Sequence, residues 1–206
     1  SWTNTGATCT TDPNSGEWSC TTDVLNPGSY AVRASSTTYL DDETFTETSS
    51  TALNITIDTT APTVTSVAFS SDAGSDNTYK INDVVNVTVT FTENVNVTGA
   101  PQIALAGLTS KFATYTSGTG TSALLFSYPV ALDDSDTDGL AITANALALN
   151  GGTIADTASN NATLTHSAIT TQATQKVEGI PPTIALSGCT APYVSGSTCT
   201  ISITLN

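Results

Sequence analysis

The chain has 206 residues, of which 38% are hydrophobic, and its formal net charge is −14 because 18 acidic residues face only four lysines and arginines. A surface of that sign repels the phosphates of nucleic acids and anionic lipids and attracts cations, so nucleic-acid partners are excluded. The longest apolar run, Ala123 to Leu132, is too short to span a bilayer, so we expect no membrane insertion. A start at Ser1 without a signal peptide predicts a piece of a larger secreted chain.

Residues 1 to 60 are predicted to form short strands. Apolar residues alternate with others around Tyr30 and Val32, and again from Leu53 to Ile57. Pro62 then stops ladder pairing, because proline has no N–H to donate. We place the first domain boundary there, between residues 60 and 61.

The four cysteines fall into two local pairs. Cys9 and Cys20 flank a ten-residue segment, TTDPNSGEWS, that would place them opposite each other across a hairpin, and Cys189 and Cys199 flank a similar span. Two local disulfides are therefore predicted, although four cysteines allow three connectivities, and disulfides imply an oxidising compartment. Zinc is the alternative; the spacing is not that of a zinc knuckle, and His166 is the only histidine.

The clearest strand pattern is Val84 to Thr98, VVNVTVTFTENVNVT. From Val85 onward the odd positions are apolar except for Glu93, and the even positions are Asn or Thr. A period of two puts one apolar face inside and one polar face outside, as in half of a β-sandwich. The charge at Glu93 predicts that one strand ends near Phe91 and a second begins at Val95.

Further alternating segments complete a predicted domain over residues 61 to 179. They lie around Ile103, 112–116, 124–130, 140–142, 147–149, Ile154 and 169–177, with turns at the Gly-rich positions between them. The linker EGIPP, residues 178–182, marks the second boundary. Residues 180 to 206 are predicted to be the opening strands of a further domain.

These segments resemble tandem Ig-like or cadherin-like repeats of large bacterial surface adhesins and biofilm proteins. The resemblance rests on IDTTAPTVTSV, TYKINDVVNVTVTFTENVNVTGAPQIAL, ATYTSGTGTSALLFSYPVAL and LNGGTIADTASNNATL, which cover residues 57 to about 165. It implies an all-β chain of Ig-like β-sandwich modules in tandem, with one complete domain flanked by two partial ones. It also implies an extracellular, cell-surface location.

The two partial domains are complementary. Residues 1 to 60 lack the opening strands of a sandwich, and residues 180 to 206 supply only opening strands. We therefore hypothesise that identical subunits or repeats are joined head to tail by strand addition. A truncated fragment is the alternative.

The most acidic motif is DDSDTDG, which supplies four carboxylates, those of Asp133, Asp134, Asp136 and Asp138. From Asp134 it matches the start of a Dx[DN]xDG calcium loop, in which alternate carboxylates converge on the ion. The twelfth position is Asn145 instead of Glu, so a solvated acidic loop without an ion stays open as the alternative.

The resemblance also implies calcium at the domain junctions, where it stiffens a string of modules. The residues at the matching positions are Asp41, Asp42 and Asp58 at the first junction, and Asp156, Asn160, Asn161 and Glu178 in and after the second domain. Oxygen ligands from separate loops suit calcium, while ordinary turn-forming Asp and Asn are the alternative interpretation.

No catalytic residues are predicted, because His166 has no nucleophile elbow or oxyanion motif around it. The preferred function is a structural or adhesive segment of a bacterial surface protein or fibre, with neighbouring repeats and a host or neighbouring-cell ligand as partners. The alternative is a ligand- or carbohydrate-binding module at an adhesin tip or attached to an extracellular hydrolase.

Overall fold

A computed structural model of the protein describes residues 8–11, 18–21, 24–32, 35–40, 43–48, 51–181, 183–186, 195–196 and 201–204. The chain forms two compact units, Ser1–Thr60 and Ala61–Asn206. The assignment of residues 180–206 to a further domain stays a prediction.

All regular elements in the described ranges are β-strands. They are β1 (Thr8–Thr11), β2 (Trp18–Thr21), β3 (Gly28–Val32), β4 (Ser35–Leu40), β5 (Glu43–Thr48), β6 (Leu53–Ile57), β7 (Val64–Phe69), β8 (Thr78–Lys80), β9 (Val84–Thr98), β10 (Gln102–Ala104), β11 (Phe112–Ser117), β12 (Thr121–Pro129), β13 (Ser135–Asp136), β14 (Leu147–Ala148), β15 (Thr153–Ala155), β16 (Lys176–Glu178), β17 (Thr183–Leu186) and β18 (Ile201–Thr204). The prediction of an all-β chain is confirmed.

In its described residues the first unit contains three antiparallel strand pairs, β1–β2, β3–β6 and β4–β5. In the first pair Cys9 lies directly opposite Cys20 in the backbone register, as the hairpin interpretation expected. The side chains of these two strands lie outside the described part of the structure, as do Cys189 and Cys199, so both disulfides stay predictions.

The second unit is built around β9, which is one continuous strand. The predicted break at Glu93 is wrong: β9 runs through it and changes partners there. Its first part pairs with β7 and β12, its last residues pair with β15, and the register to β12 shifts between Thr121 and Ala123. A partner change and a β-bulge accommodate the charge, so the strand does not have to end.

Two sheets of the second unit share one core. The larger has seven strands, in the order β14-β10-β11-β12-β9-β15 with β7 also on β9, and the smaller has the order β13-β16-β8. Val85, Val87 and Val89 of the large sheet are fully buried, and Tyr79 and Val177 of the small sheet enter the same core. This arrangement is consistent with a β-sandwich.

Some predicted strands are absent from the described structure. Leu140 and Ile142 are fully buried, but this segment makes only isolated bridges, at Ala141 and Ile142, and the predicted strand 169–177 is reduced to a bridge at Ile169 and to β16. In residues 140–142 the alternation comes from a loop whose first and third side chains are buried in the core. Periodicity alone does not distinguish such a loop from a strand.

The chain enters the second unit beside the middle of β9, and the last strand of the shared core, β16, ends near the Val84 end of β9. At the entry, Val64 pairs with Phe91. At the exit, Gly179 exchanges backbone hydrogen bonds with Asp133 and Asp134, in the loop that follows the pairing of Pro129 with Val84. Phe91 and Val84 are seven residues apart on extended β9, so about 23 Å separates the entry from the exit.

Candidate metal centre

Glu93 and Asp156 form an acidic pair near the entry end of the second unit. A carboxylate oxygen of Glu93 and one of Asp156 lie within 4.8 Å of each other. Glu93 is half-buried on β9, and Asp156 is buried in the loop that follows β15. Two carboxylates at this separation can share a divalent cation, and oxygen ligands are those that calcium prefers.

The Asp156 loop holds its carboxylate in the charged form. Oδ1 accepts a hydrogen bond from the backbone N–H of Asn160 (2.8 Å), and Oδ2 accepts one from the Asn160 side-chain amide (2.7 Å). Burial acts to raise the pKa of Asp156, but these bonds and those from backbone N–H groups outweigh burial and lower the pKa. Asp156 thus stays anionic beside Glu93, while Asn160 serves as its partner.

Asp134 lies at the exit end, where protein groups surround its buried carboxylate. Oδ2 accepts hydrogen bonds from the Tyr128 hydroxyl and from the backbone N–H of Ala131, and Oδ1 lies 3.1 Å from Lys111 Nζ. Burial acts to raise the pKa of Asp134, but these three partners outweigh burial and lower the pKa. A lysine at this distance already neutralises the charge that a calcium ion would need.

Asp136, two residues later, differs from Asp134 because one of its carboxylate oxygens lacks a partner. Its Oδ1 accepts hydrogen bonds from the backbone N–H groups of Gly139 (2.9 Å) and Asp138 (3.3 Å), but its buried Oδ2 has no hydrogen-bond partner. Oδ2 faces Gly107 so closely that a Cβ there would lie 1.7 Å from it. Burial, reinforced by the Asp138 carboxylate, raises the pKa of Asp136.

The DDSDTDG carboxylates therefore do not form one ligand set. Asp134 belongs to the cluster with Lys111 and Tyr128, which we call the exit cluster, whereas Asp136 caps the turn that ends at Gly139. Asp133 and Asp138 are exposed. Ser135 and Asp136 form β13 and pair with β16, so an extended segment takes the place of a tight calcium loop.

The remaining predicted ligands are Asp41, Asp42, Asp58 and Glu178. Asp41 and Asp42 lie outside the described residues. Asp58 belongs to the first unit, where its Oδ1 accepts a hydrogen bond from the Thr60 N–H (2.9 Å). Glu178 ends β16 and is half-buried.

Sequence reasoning missed two features of these sites. It placed Glu93 on the inward row of β9 without assigning it to Asp156, and it did not pair Lys111 with Asp134. Glu93 is the one charged residue in an otherwise apolar row of the sequence. This could have indicated its proximity to Asp156, since a charge on an apolar face needs a partner.

His166 anchors its loop through hydrogen bonds in the described structure. Its Nδ1 lies 2.8 Å from the Ser167 carbonyl oxygen, its Nε2 accepts a long hydrogen bond from the Leu147 N–H (3.4 Å), and its backbone N–H donates to Asn145 Oδ1. Both ring nitrogens thus have backbone partners, which fix the loop around residue 166.

Comparisons with protein families, curated proteins and solved structures found no match for this chain. Within the described ranges, no helix is long and apolar enough to cross a membrane.

Proposed function

We propose that the second unit is a load-bearing module of an extracellular bacterial surface protein or fibre, in which Ig-like modules are joined end to end. The observation that carries the proposal is the path of the chain, which enters beside Phe91 and leaves beside the Val84 end of β9. Tension applied through the two neighbours of such a module runs along its strands.

The hydrogen-bond pattern suits that direction of load. The backbone groups of Asn86 and Thr92 in β9 form hydrogen bonds with those of Ser70 and Thr63 around β7. The backbone N–H and C=O groups at even positions of β9 therefore point to β7, and those at odd positions point to β12. The exit strand β16 lies between β8 and β13 and is held on both edges. Pulling the two termini therefore shears several ladder bonds at once, instead of opening them one after another.

The outer face of the large sheet also supports a structural role. Its side chains bond to each other: Ser127 Oγ donates to Asn86 Oδ1 (2.7 Å), and Thr116 Oγ1 lies 3.3 Å from Ser127 Oγ. Thr88 Oγ1 donates to Ser70 Oγ across β7 and β9. Hydroxyl and amide groups that satisfy each other brace neighbouring strands, and a carbohydrate-binding face would instead need exposed aromatic rings.

Single-molecule pulling tests the proposal. We expect the second unit to rupture at a higher force when it is pulled through residues 61 and 179 than when it is pulled through residue 61 and a Thr157→Cys handle. Thr157 is exposed in the loop beside Asp156, at the entry end, so the second geometry peels strands apart. An equal or lower force in the first geometry would contradict the proposal.

We further propose that calcium braces the entry end through Glu93 and Asp156. Added calcium is expected to raise the thermal midpoint of unfolding, because the ion removes the repulsion between the two carboxylates. Glu93→Gln should abolish this rise, while the matched change Asp138→Asn, in the DDSDTDG loop, should leave it intact. Thermal unfolding of all three proteins with and without calcium checks this, and a rise lost only in Asp138→Asn would place the ion in that loop instead.

A further inference from the structure

A groove of about 660 Å³ runs beside β7. One wall is β7 from Val64 to Val67, and the other is the segment 165–169, with Ala144 and Asn145 also lining it. We call it the β7 groove. Thr63 and Thr163 form a parallel bridge at one end of it. Beyond that bridge the two segments separate, so the groove has the position of a strand between them.

The β7 wall presents an unused strand edge. Ser70 donates its N–H to Asn86, and the register then places Ser66 and Ala68 on the β9 side as well. The N–H and C=O of Val67 and Phe69 therefore point away from β9, toward the groove side. No described residue pairs with them. The edge VTSVAF also contains no charge and no proline, the residues that proteins use to block edge pairing.

The opposite wall is also unpaired in the middle. The backbone N–H groups of Thr165, Ser167 and Ala168 make no hydrogen bond to any described residue, whereas those of His166 and Ile169 donate to Asn145 and Ile142. Backbone donors without partners on both sides of a groove match the requirement for adding a strand.

The charges that line the β7 groove indicate which kind of segment can bind in it. No lysine, arginine or carboxylate lines the β7 groove, although the chain as a whole carries −14. Residues 179–206 of the same chain have no charged side chain either, and they include β18, which pairs with β17 and with no other described strand. A neutral, alternating strand can bind here without the repulsion that an acidic segment would meet.

The position of the β7 groove indicates which copy of the chain supplies the added strand. Residues 179–206 leave at the Val84 end, whereas the β7 groove lies toward Phe91 at the entry end. The chain's own segment therefore starts about 23 Å along β9 from the groove, whereas the segment of a second copy can approach the groove directly. We infer that the β7 groove binds the uncharged segment around β18 of a second copy as an added β-strand. The inference rests on the proposed end-to-end function and names its joining surface.

Sedimentation velocity of the full chain over a range of concentrations tests the inference. We expect concentration-dependent association of the unmodified protein, and we expect Ser66→Lys to weaken it at least about tenfold, because a lysine in the groove blocks the edge. Thr114→Lys adds the same charge at an exposed position of β11 and should have no effect. If Ser66→Lys fails to fold, as judged by circular dichroism, Thr165→Lys on the opposite wall replaces it.

Hydrogen exchange identifies the source of the strand. The Val67 amide is expected to exchange more slowly as the protein concentration rises. Protection that is independent of concentration would mean that the chain's own tail fills the groove, and it would overturn the inference, as would equal association of Ser66→Lys and Thr114→Lys or a monomer at all concentrations. Single-molecule pulling measures isolated chains, so the load-bearing proposal can stand when this one fails.

Discussion

Replacing Asp134 by alanine is expected to lower the free energy of unfolding by about 3 kcal/mol. The change removes the acceptor of the Tyr128 hydroxyl and of the Ala131 N–H, and it leaves Lys111 without its partner in the exit cluster. The loop that binds Gly179 would loosen with it. Urea denaturation at pH 7 measures the loss.

Asp136→Asn is the matched control, two residues away and also buried. An asparagine keeps the acceptor for the Gly139 and Asp138 N–H groups and removes a charge whose Oδ2 has no partner. We therefore expect this protein to be as stable as the unmodified one at pH 7, or more stable. Equal losses in Asp134→Ala and Asp136→Asn would mean that the two carboxylates do not differ as described.

The two aspartates also give opposite pH dependences. The pKa of Asp136 is raised above the ordinary 3.8, so its protonation adds stability as the pH falls from neutral, and that contribution is lost as the pH rises through the folded-state pKa. The pKa of Asp134 is lowered, so its contribution is present above 3.8 and is lost as the pH falls further. Asp136→Asn should remove the first effect and keep the second.

Phe126→Ala is expected to destabilise the second unit by about 3–5 kcal/mol, because it opens a cavity in the shared core. Phe126 is fully buried on β12, and its ring contacts Tyr115 edge-on at a centroid distance of 6.0 Å. Thermal and urea unfolding measure the effect.

Phe112→Ala is the control, since the Phe112 side chain is 39% exposed at the start of β11. The same deletion there should cost much less, because little apolar surface returns to water. Similar losses for both phenylalanines would contradict the placement of the core between the two sheets.

The sequence predicted the part of the fold that depends on local alternation. Val85, Val87, Val89 and Phe91 are buried on one face of β9, as a period of two requires. The same pattern failed at Leu140 and Ile142, because a loop that crosses a core also buries every second side chain. The break predicted at Glu93 failed because strand partners, which are distant in sequence, changed there.

The acidic sites could be predicted only in part, for a similar reason. The motif DDSDTDG identified where carboxylates are concentrated, but Lys111 and Tyr128 reach Asp134 from other strands, and Gly107 closes over Asp136 from a different loop. The pKa of Asp134 is lowered and that of Asp136 is raised because these neighbours differ. Glu93 and Asp156 meet in the same way, through the pairing of β15 with the end of β9.

The parallel pairing of β8 with β16 has a consequence for biosynthesis. Lys176 pairs with Thr78, and Thr163 bridges Thr63, so the unit is closed by residues from its two extremes. Contacts of such long range form late and make folding slow. A chain that emerges with its N-terminus first therefore cannot complete this unit until the region around residue 178 has emerged.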